Sequence, residues 1–291
     1  MNENMQIAVI LPAAGQSRRF IASSAGNGPR ASKLESDLGG RTVLVRTIEL
    51  FAGVKGVCQI IVAVDPEQID DFKFRWEDKL SFIGAQIVAG GKIERWETVL
   101  CALRAVKQEA THIAVHDAAR PVTDAAMIHR VFEAAKKFNA VIPGVPASAT
   151  MKRAILDEQA SKVEVDPLDA ILGSAGKEEI RAYRVTETVS RENLWMIQTP
   201  QVFERKLMQR AYDQLAAGGM GGAGITDDAG LIERLGEPVH IIEGDAMNVK
   251  ITTREDLKFA SAVLYLRSGQ QSKEAIGPKR KFATWKEMDE D

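Results

Sequence analysis

The chain has 291 residues, 45% of them hydrophobic and 27% charged, enough for one large core or two modest ones. A formal net charge of −2 argues against general nucleic-acid binding, although it leaves room for a local positive pocket. No apolar run approaches the ~20 residues that span a bilayer, and residues 1–5 are too short and polar for a signal peptide, so a cytoplasmic protein without a membrane partner is expected. The two cysteines, Cys58 and Cys101, lie in apolar stretches and read as buried free thiols; the four histidines are scattered and give no zinc signature.

Short runs rich in Ile and Val at 6–11, 58–64, 86–89, 112–116 and 140–145 read as strands. Between them, 42–51, 66–80, 93–106 and 123–138 carry helical spacing; Val99, Leu100, Leu103 and Val106 would share one helix face. Near-continuous apolar strands alternating with helices predict an α/β fold, a Rossmann-like, mostly parallel central sheet with helices on both faces. Ligands of such sheets bind beyond the carboxyl ends of the strands, so the segments that follow the strands are the ones to inspect.

The alternation breaks near residue 147. Residues 147–195 are more polar, with turns at Asp166-Pro167 and between Gly173 and Gly176 and a β-type stretch at 183–189. They read as a projecting β-arm rather than a second domain with its own core. Helices resume at 204–217 and 227–235, a strand follows at 239–243, and a last helix at 253–266. The glycine-rich stretch 218–224 reads as a flexible loop, and 267–291 as a disordered tail without apolar periodicity.

Pro12-Ala13-Ala14-Gly15-Gln16-Ser17-Arg18-Arg19-Phe20 directly follows the first strand. Its small residues let backbone N–H groups approach and cradle phosphate oxygens. From Pro12 to Lys33 the segment carries Arg18, Arg19, Arg30 and Lys33 and no acidic residue, a charge imbalance suited to a polyanion such as a nucleoside triphosphate. A solvated surface loop is the other reading of the same spacing. Neither G-x-G-x-x-G nor G-x-x-x-x-G-K-[ST] is present, which counts against an NAD enzyme and a P-loop ATPase. Asp117, at the end of an apolar strand, reads either as a turn aspartate or as a carboxylate holding Mg²⁺ against triphosphate oxygens. Arg120 offers a bidentate fork for a phosphate or an ordinary ion pair.

Ala13-Ala14-Gly15-x-Ser17-x-Arg19-Phe20, with Lys33 further along, resembles the opening motif of the glycosyltransferase-A-like nucleotidyltransferases. Four further segments, Val115-His116-Asp117-Ala118-Ala119-Arg120-Pro121, Ala149-Thr150-Met151-Lys152-Arg153, Ile225-Thr226-Asp227-Asp228-Ala229 and Asn248-Val249-Lys250-Ile251-Thr252, narrow the resemblance. Together they resemble the 2-C-methyl-D-erythritol 4-phosphate cytidylyltransferase family, in the family's order, across residues 6–266. The resemblance implies a nucleotidyltransferase domain over 1–266 that moves CMP from CTP to a small alcohol phosphate, with Mg²⁺ as cofactor and the 147–195 arm making a homodimer. It implies Arg19 and Lys33 as catalytic cations, and Ala13, Ala14, Gly15, Gly91, Arg95, Thr98 and Lys250 around the nucleotide. It implies Arg120, Thr150 and Arg191 around the acceptor, the last two from a partner's arm, and Asp117 on the metal. His116 reads as a structural hydrogen-bonding residue, and Thr226-Asp227-Asp228 reads locally as a helix N-cap with acidic first-turn residues.

Some positions depart from the family pattern. Ser32 stands where proline is usual, Leu34 where glutamine is common, and Ala149 replaces an aspartate before Thr150. Met247 stands where some relatives carry an acidic residue, leaving Asp245 as a substitute. These departures keep two alternatives open, a ribitol 5-phosphate cytidylyltransferase and a non-catalytic CTP-binding paralogue.

Overall fold

The computed structural model describes residues 5–15, 18–23, 32–158, 160, 181–219 and 224–275. The chain divides into two compact units, Met1–Gly144 with Ile197–Asp291, and Val145–Met196.

The first unit is built around β1 (Ile7–Pro12), β2 (Val57–Val64), β3 (Ala85–Ala89), β4 (His112–Val115), β5 (Ala140–Pro146), β9 (Gln201–Glu204) and β10 (His240–Glu243). The sheet runs β10-β5-β9-β4-β1-β2-β3. Neighbours pair in parallel except along β9, which is antiparallel to both β4 and β5. The α/β, mostly parallel architecture is the expected one. β9 was not legible in the sequence: it follows Pro200 and has only four residues, too few to show a period of two.

Alternation along β1 explains the layering. Ile7, Val9 and Leu11 face one core, filled by α2 (Val43–Glu49), α5 (Ala125–Ala135) and α8 (Arg254–Ala275) through Leu44, Ile48, Ile128, Phe132 and Val263. Ala8 and Ile10 face the opposite core, filled by α4 (Arg95–Leu103), α6 (Arg205–Ala216) and α7 (Ala229–Arg234) through Val99, Ala102, Leu207, Ala211 and Leu231. α3 (Ile69–Phe82) packs beside β3 and buries Leu80 while Phe74 and Phe82 stay exposed. Cys58 and Cys101 form no disulfide and are half-buried rather than buried.

Two further differences from the sequence reading concern helices. Residues 18–22, expected as loop, form the short helix α1 (Arg18–Ala22), with Phe20 buried. α8 runs past residue 266 to Ala275, beyond the apolar periodicity and across Ser268 and Gly269, where Gln270, Gln271, Lys273, Glu274 and Ala275 favour helix. Of the tail expected at 267–291, residues 276–291 lie outside the described residues, as do 24–31 of the basic loop, with Arg30, and 220–223 of the glycine stretch.

The second unit contains β6 (Met151–Leu156) paired antiparallel with β7 (Tyr183–Val189), with a bulge between Arg153 and Ala154. β8 (Trp195–Ile197) closes its sequence span. Every residue of β6 is exposed, and β7 is exposed up to Val189. Arg153 pairs with Glu187 at 2.9 Å, and Ala147 N–H donates to the Leu194 carbonyl at 2.9 Å.

Candidate active site

The topology leaves a crevice beyond the carboxyl ends of β1 and β4. From β1 the chain moves outward to β2 on one side while β4 flanks it on the other, so the loops after these two strands part. A cavity of about 220 Å³ opens there. The loop after β1 supplies Pro12, Ala13, Ala14 and Gly15, the turn into α4 supplies Gly91 to Arg95 with Thr98 behind it, and Lys33, Asp117, Ala119 and Lys250 complete the wall. A side chain built at Gly15 would meet nothing of the protein within 4 Å, so the strand-end loop presents open backbone to whatever occupies the cavity.

Asp117 is the electrostatic centre. Its Oδ2 accepts from Lys250 Nζ at 3.0 Å and from Arg120 Nε at 3.1 Å, and its Oδ1 lies 3.9 Å from Arg95 Nη2. Burial alone would raise the Asp117 pKa, but Lys250, Arg120 and Arg95 outweigh it and hold the carboxyl well below the usual range. Lys33 is shifted downward, first by burial and then by the positive charge of Lys250, with Asp117 opposing and Arg19 adding to the shift. Arg19 is exposed and is not part of the cavity wall, but its charge is felt at Lys33.

Arg95 sits in the first turn of α4, where Glu97 accepts the N–H groups of Ile93 at 3.0 Å and Glu94 at 3.2 Å. Its Nη1 donates to Asp228 Oδ2 at 2.7 Å, and Asp228 Oδ1 accepts from the buried Tyr212 hydroxyl at 2.5 Å. Burial would lower the Arg95 pKa; Asp228 and then Asp117 more than reverse this, so the guanidinium stays charged. Gly90 and Gly91 are required by packing. A Cβ at Gly91 would lie 2.2 Å from Glu97 Cβ, and one at Gly90 2.9 Å from the Val64 carbonyl. The Gly91 N–H donates to Thr98 Oγ1 at 3.2 Å. Thr98 therefore fixes the Gly91 turn, and the Gly91 N–H is held by that hydroxyl.

Behind Asp117 lies a buried polar network. His116 is fully buried, with Nδ1 3.1 Å from Thr199 Oγ1 and Nε2 3.2 Å from the Arg120 carbonyl, and burial pulls its pKa down to about 4. The Asp117 N–H donates to Thr199 Oγ1 at 3.0 Å. Asn248 donates to the Thr199 carbonyl at 3.0 Å and accepts from Thr123 Oγ1 at 2.8 Å. Arg120 Nη1 donates to the Asn248 carbonyl at 2.7 Å, and Ile251 N–H donates to the Ala119 carbonyl at 2.8 Å.

Arg120, expected around the acceptor, is 9% exposed, lies outside the lining of this cavity, and donates to Asp117 and to the Asn248 carbonyl. One sequence expectation changes here: the cap of α7 is not Thr226, since the helix starts at Ala229 after Asp228, and Asp227 Oδ1 accepts the Gly230 N–H at 3.1 Å. Thr150 and Arg191 belong to the second unit and are exposed, with Arg191 Nη1 donating to the Ser148 carbonyl at 2.6 Å.

Among the described residues no three His, Cys, Asp or Glu side chains cluster to form a metal cage. A hard divalent cation that keeps phosphate and water oxygens needs only one or two carboxylates. Asp117 can supply one through Oδ1, which faces Arg95 at 3.9 Å while Oδ2 takes both close cations. Asp245, the candidate substitute for Met247, is instead bound to Arg267 at 2.7 Å.

The family model described as 2-C-methyl-D-erythritol 4-phosphate cytidylyltransferase matches residues 7–169 and 177–266. The chain belongs to this family. A protein of that name from Acidobacterium capsulatum is 36% identical over 272 residues, covering 91% of this chain and 100% of the relative. One from Lysinibacillus sphaericus is 34% identical, covering 91% of this chain and 99% of the relative. The crystal structure of 2-C-methyl-D-erythritol 4-phosphate cytidylyltransferase from Thermus thermophilus matches with a TM-score of 0.63 at 27% identity, covering 89% of this chain and 98% of that one. In this cytidylyltransferase-family chain, the contacts that sequence reasoning missed are those of Tyr212, Thr199 and Thr123. Each is an ordinary core or turn residue in sequence, and only buried pairing with Asp228, His116 or Asn248 marks it. The family strings around Asp228 and Asn248, and the family-like Gln198-Thr199-Pro200-Gln201 around Thr199, were the available signals.

Proposed function

We propose that the chain transfers the cytidylyl group of CTP to 2-C-methyl-D-erythritol 4-phosphate, giving 4-diphosphocytidyl-2-C-methyl-D-erythritol and pyrophosphate. The observation that carries this reading, beside family membership, is the convergence of Lys33, Arg95 and Lys250 with Asp117 on one cavity edged by the open backbone of residues 13–15. An oxygen of the acceptor's phosphate attacks the α-phosphorus of CTP as the bond to the β-phosphate oxygen breaks, and pyrophosphate leaves with that electron pair. A phosphate monoester is already an anionic nucleophile near neutral pH, so the protein's task is alignment and charge neutralisation rather than base catalysis. His116, neutral and enclosed, suits a scaffold role.

Lys33 and Arg19 oppose the charge that accumulates on the α-phosphate and the leaving group. Ala13, Ala14 and Gly15 border the triphosphate, Ala13 with its N–H held by the Ala63 carbonyl at 2.7 Å, so that the N–H groups of Ala14 and Gly15 are the ones offered to phosphate, and Gly91, Arg95 and Thr98 shape the wall toward the base and ribose. Lys250 balances Asp117 and the phosphates beside it. Asp117 is the residue that would hold Mg²⁺, and the ion would supply further charge neutralisation at the phosphates.

Thr150 and Arg191 hold the acceptor, delivered from the arm of a second copy, so the active form is a homodimer. The exposure of Met151, Ile155, Leu156, Tyr183 and Val185 on one two-stranded ribbon supports this reading, since such ribbons are marginal uncovered. The unpaired cysteines suit a reducing cytoplasm, and among the described residues no helix is long and apolar enough to cross a membrane. The test is pyrophosphate release from CTP and Mg²⁺ with 2-C-methyl-D-erythritol 4-phosphate, run against ribitol 5-phosphate. Turnover with the first and little with the second is expected; the reverse preference, or no release with either, would overturn the assignment.

A further inference from the structure

Arg267 lies one residue beyond the end of the family match at residue 266, on the part of α8 that continues past the apolar pattern. Its guanidinium turns back into the first unit. Nη2 donates to Asp245 Oδ2 at 2.7 Å, and Nη1 donates to the Val122 carbonyl. The side chains of Arg267 and Asp245 are 22% and 17% exposed, so this pair is more sheltered than an ordinary surface ion pair.

The two groups that Arg267 holds belong to the two loops that build the charged centre. Val122 ends the segment that carries Asp117 and Arg120. Asp245 begins the segment that carries Asn248 and Lys250, and it organises that segment directly. Its carboxylate accepts the Met247 N–H at 2.8 Å, and its carbonyl accepts the Asn248 N–H at 2.9 Å and Gln198 Nε2 at 2.7 Å. Within the site the same two segments are joined by Arg120 to the Asn248 carbonyl, by Thr123 to Asn248 Oδ1, and by Ile251 N–H to the Ala119 carbonyl. Arg267 is a link between them from outside, made by an element that lines no part of the cavity.

We infer that Arg267 is a positioning residue, a latch from the extended C-terminal helix that sets the register of the 245–250 loop against the 117–123 loop and so places Lys250 Nζ on Asp117. Its catalytic consequence rests on the cytidylyltransferase reading, whereas its structural consequence does not.

Amide hydrogen exchange on the full-length protein tests the structural part. Arg267→Gln should speed exchange of the Met247 and Asn248 amides and of those at 117–123 by at least ~10-fold, with the central β1 and β2 amides unchanged. Asp245→Asn should do the same, and the double variant should add little beyond either change alone, because the two residues act through one contact. Arg267→Lys, which keeps the charge and loses the fork, should restore part of the protection. Unchanged exchange in the 245–250 loop, additive effects, or acceleration confined to α8 would overturn the latch. In turnover, Arg267→Gln should lower kcat about tenfold while KM for CTP changes little, since misplacement of about 1 Å can cost up to ~10². Inactive wild-type protein would sink the function and leave exchange to judge the latch; an active wild type with an equally active, well-protected Arg267→Gln would sink the latch alone.

Discussion

The two units of this chain use polar and apolar residues in opposite ways. Around Asp117, charged and hydroxyl groups are buried and paired: His116, Thr123, Thr199 and Asn248 are all at most 5% exposed, and each has partners within hydrogen-bonding range. In the β6–β7 ribbon it is apolar groups that are left in solvent, with Tyr183 at 61% and Val185 at 54% exposure. Buried polar groups are costly unless every member is satisfied, so a network of this kind defines one geometry sharply. Exposed apolar groups on a thin ribbon define no geometry by themselves; they gain only by being covered. The contrast separates a region that holds charges in place from one that leaves apolar surface in solvent, the surface that a partner would cover on the proposed dimer reading.

The largest effect should come from breaking the centre of the first region. Asp117→Asn removes the anion around which Lys250, Arg120 and Arg95 gather. Urea unfolding should show a loss of roughly 3–5 kcal/mol, toward the lower end because Lys250 is 39% exposed and can regain water. Because the folded-state pKa of Asp117 is lowered, its stabilisation is complete above the normal carboxylate range and fades as pH falls below it. The variant should therefore also lose part of the wild type's destabilisation in acid. A variant as stable as wild type at pH 7 would mean that the three cations do not depend on this carboxylate.

Lys33→Ala should follow, with turnover down by ~10²–10³ and little change in stability, since Lys33 lines the cavity rather than joining the buried network. Near-normal activity would remove Lys33 from the catalytic role. Asn248→Ala should cost ~1–3 kcal/mol by taking the amide donor from the Thr199 carbonyl and the 2.8 Å acceptor from Thr123, which keeps only the longer contact to the Arg120 carbonyl at 3.2 Å and that to His116. If it melts like wild type, the network is not the organiser described above.

The same contrast marks what could be read from sequence. β1, the strand before Asp117 and the helices over them were legible because apolar periodicity is local and long. Lys33 was legible because it ends a cation-rich loop with no acid to answer it, whereas Arg95 and Lys250, from elsewhere in the chain, were reached through the family resemblance. β9 was not, since four residues carry no period, and neither was α1, since a five-residue helix with one buried phenylalanine shows no apolar repeat. The internal partners of Arg120 escaped for a different reason. An arginine three residues from an aspartate reads equally as a ligand for phosphate or as an internal brace, and its bond to the Asn248 carbonyl, 128 positions away, is seen only in the fold. Long-range polar pairing of that kind leaves no pattern along the chain.

In the second region a similar cut should do far less to folding. Tyr183→Ser and Val185→Ser remove exposed apolar surface, so thermal unfolding of the dilute chain should shift by no more than ~0.5 kcal/mol. Sedimentation should at the same time show weaker self-association, and activity should fall with dilution more steeply than in wild type. A loss of several kcal/mol with unchanged association would mean that the ribbon packs within its own chain and that the contrast is false.

The smallest effect is a displacement of a pH profile, and it tests whether the cations share one field. Burial and then Lys250 lower the Lys33 pKa, so the protonated form needed opposite phosphate is lost at a lower pH than for an ordinary lysine. The alkaline limb of kcat/KM for CTP, which reports groups of the free enzyme, should therefore lie below the usual lysine range. Lys250→Gln removes one of the two charges that push Lys33 down while leaving its burial, so the limb should move part of the way back to higher pH even as the absolute rate falls. Rate and limb then shift in different senses, which simple damage to the site would not produce. An unmoved limb would mean that Lys33 and Lys250 titrate independently, and that the cavity holds separate cations rather than a coupled set.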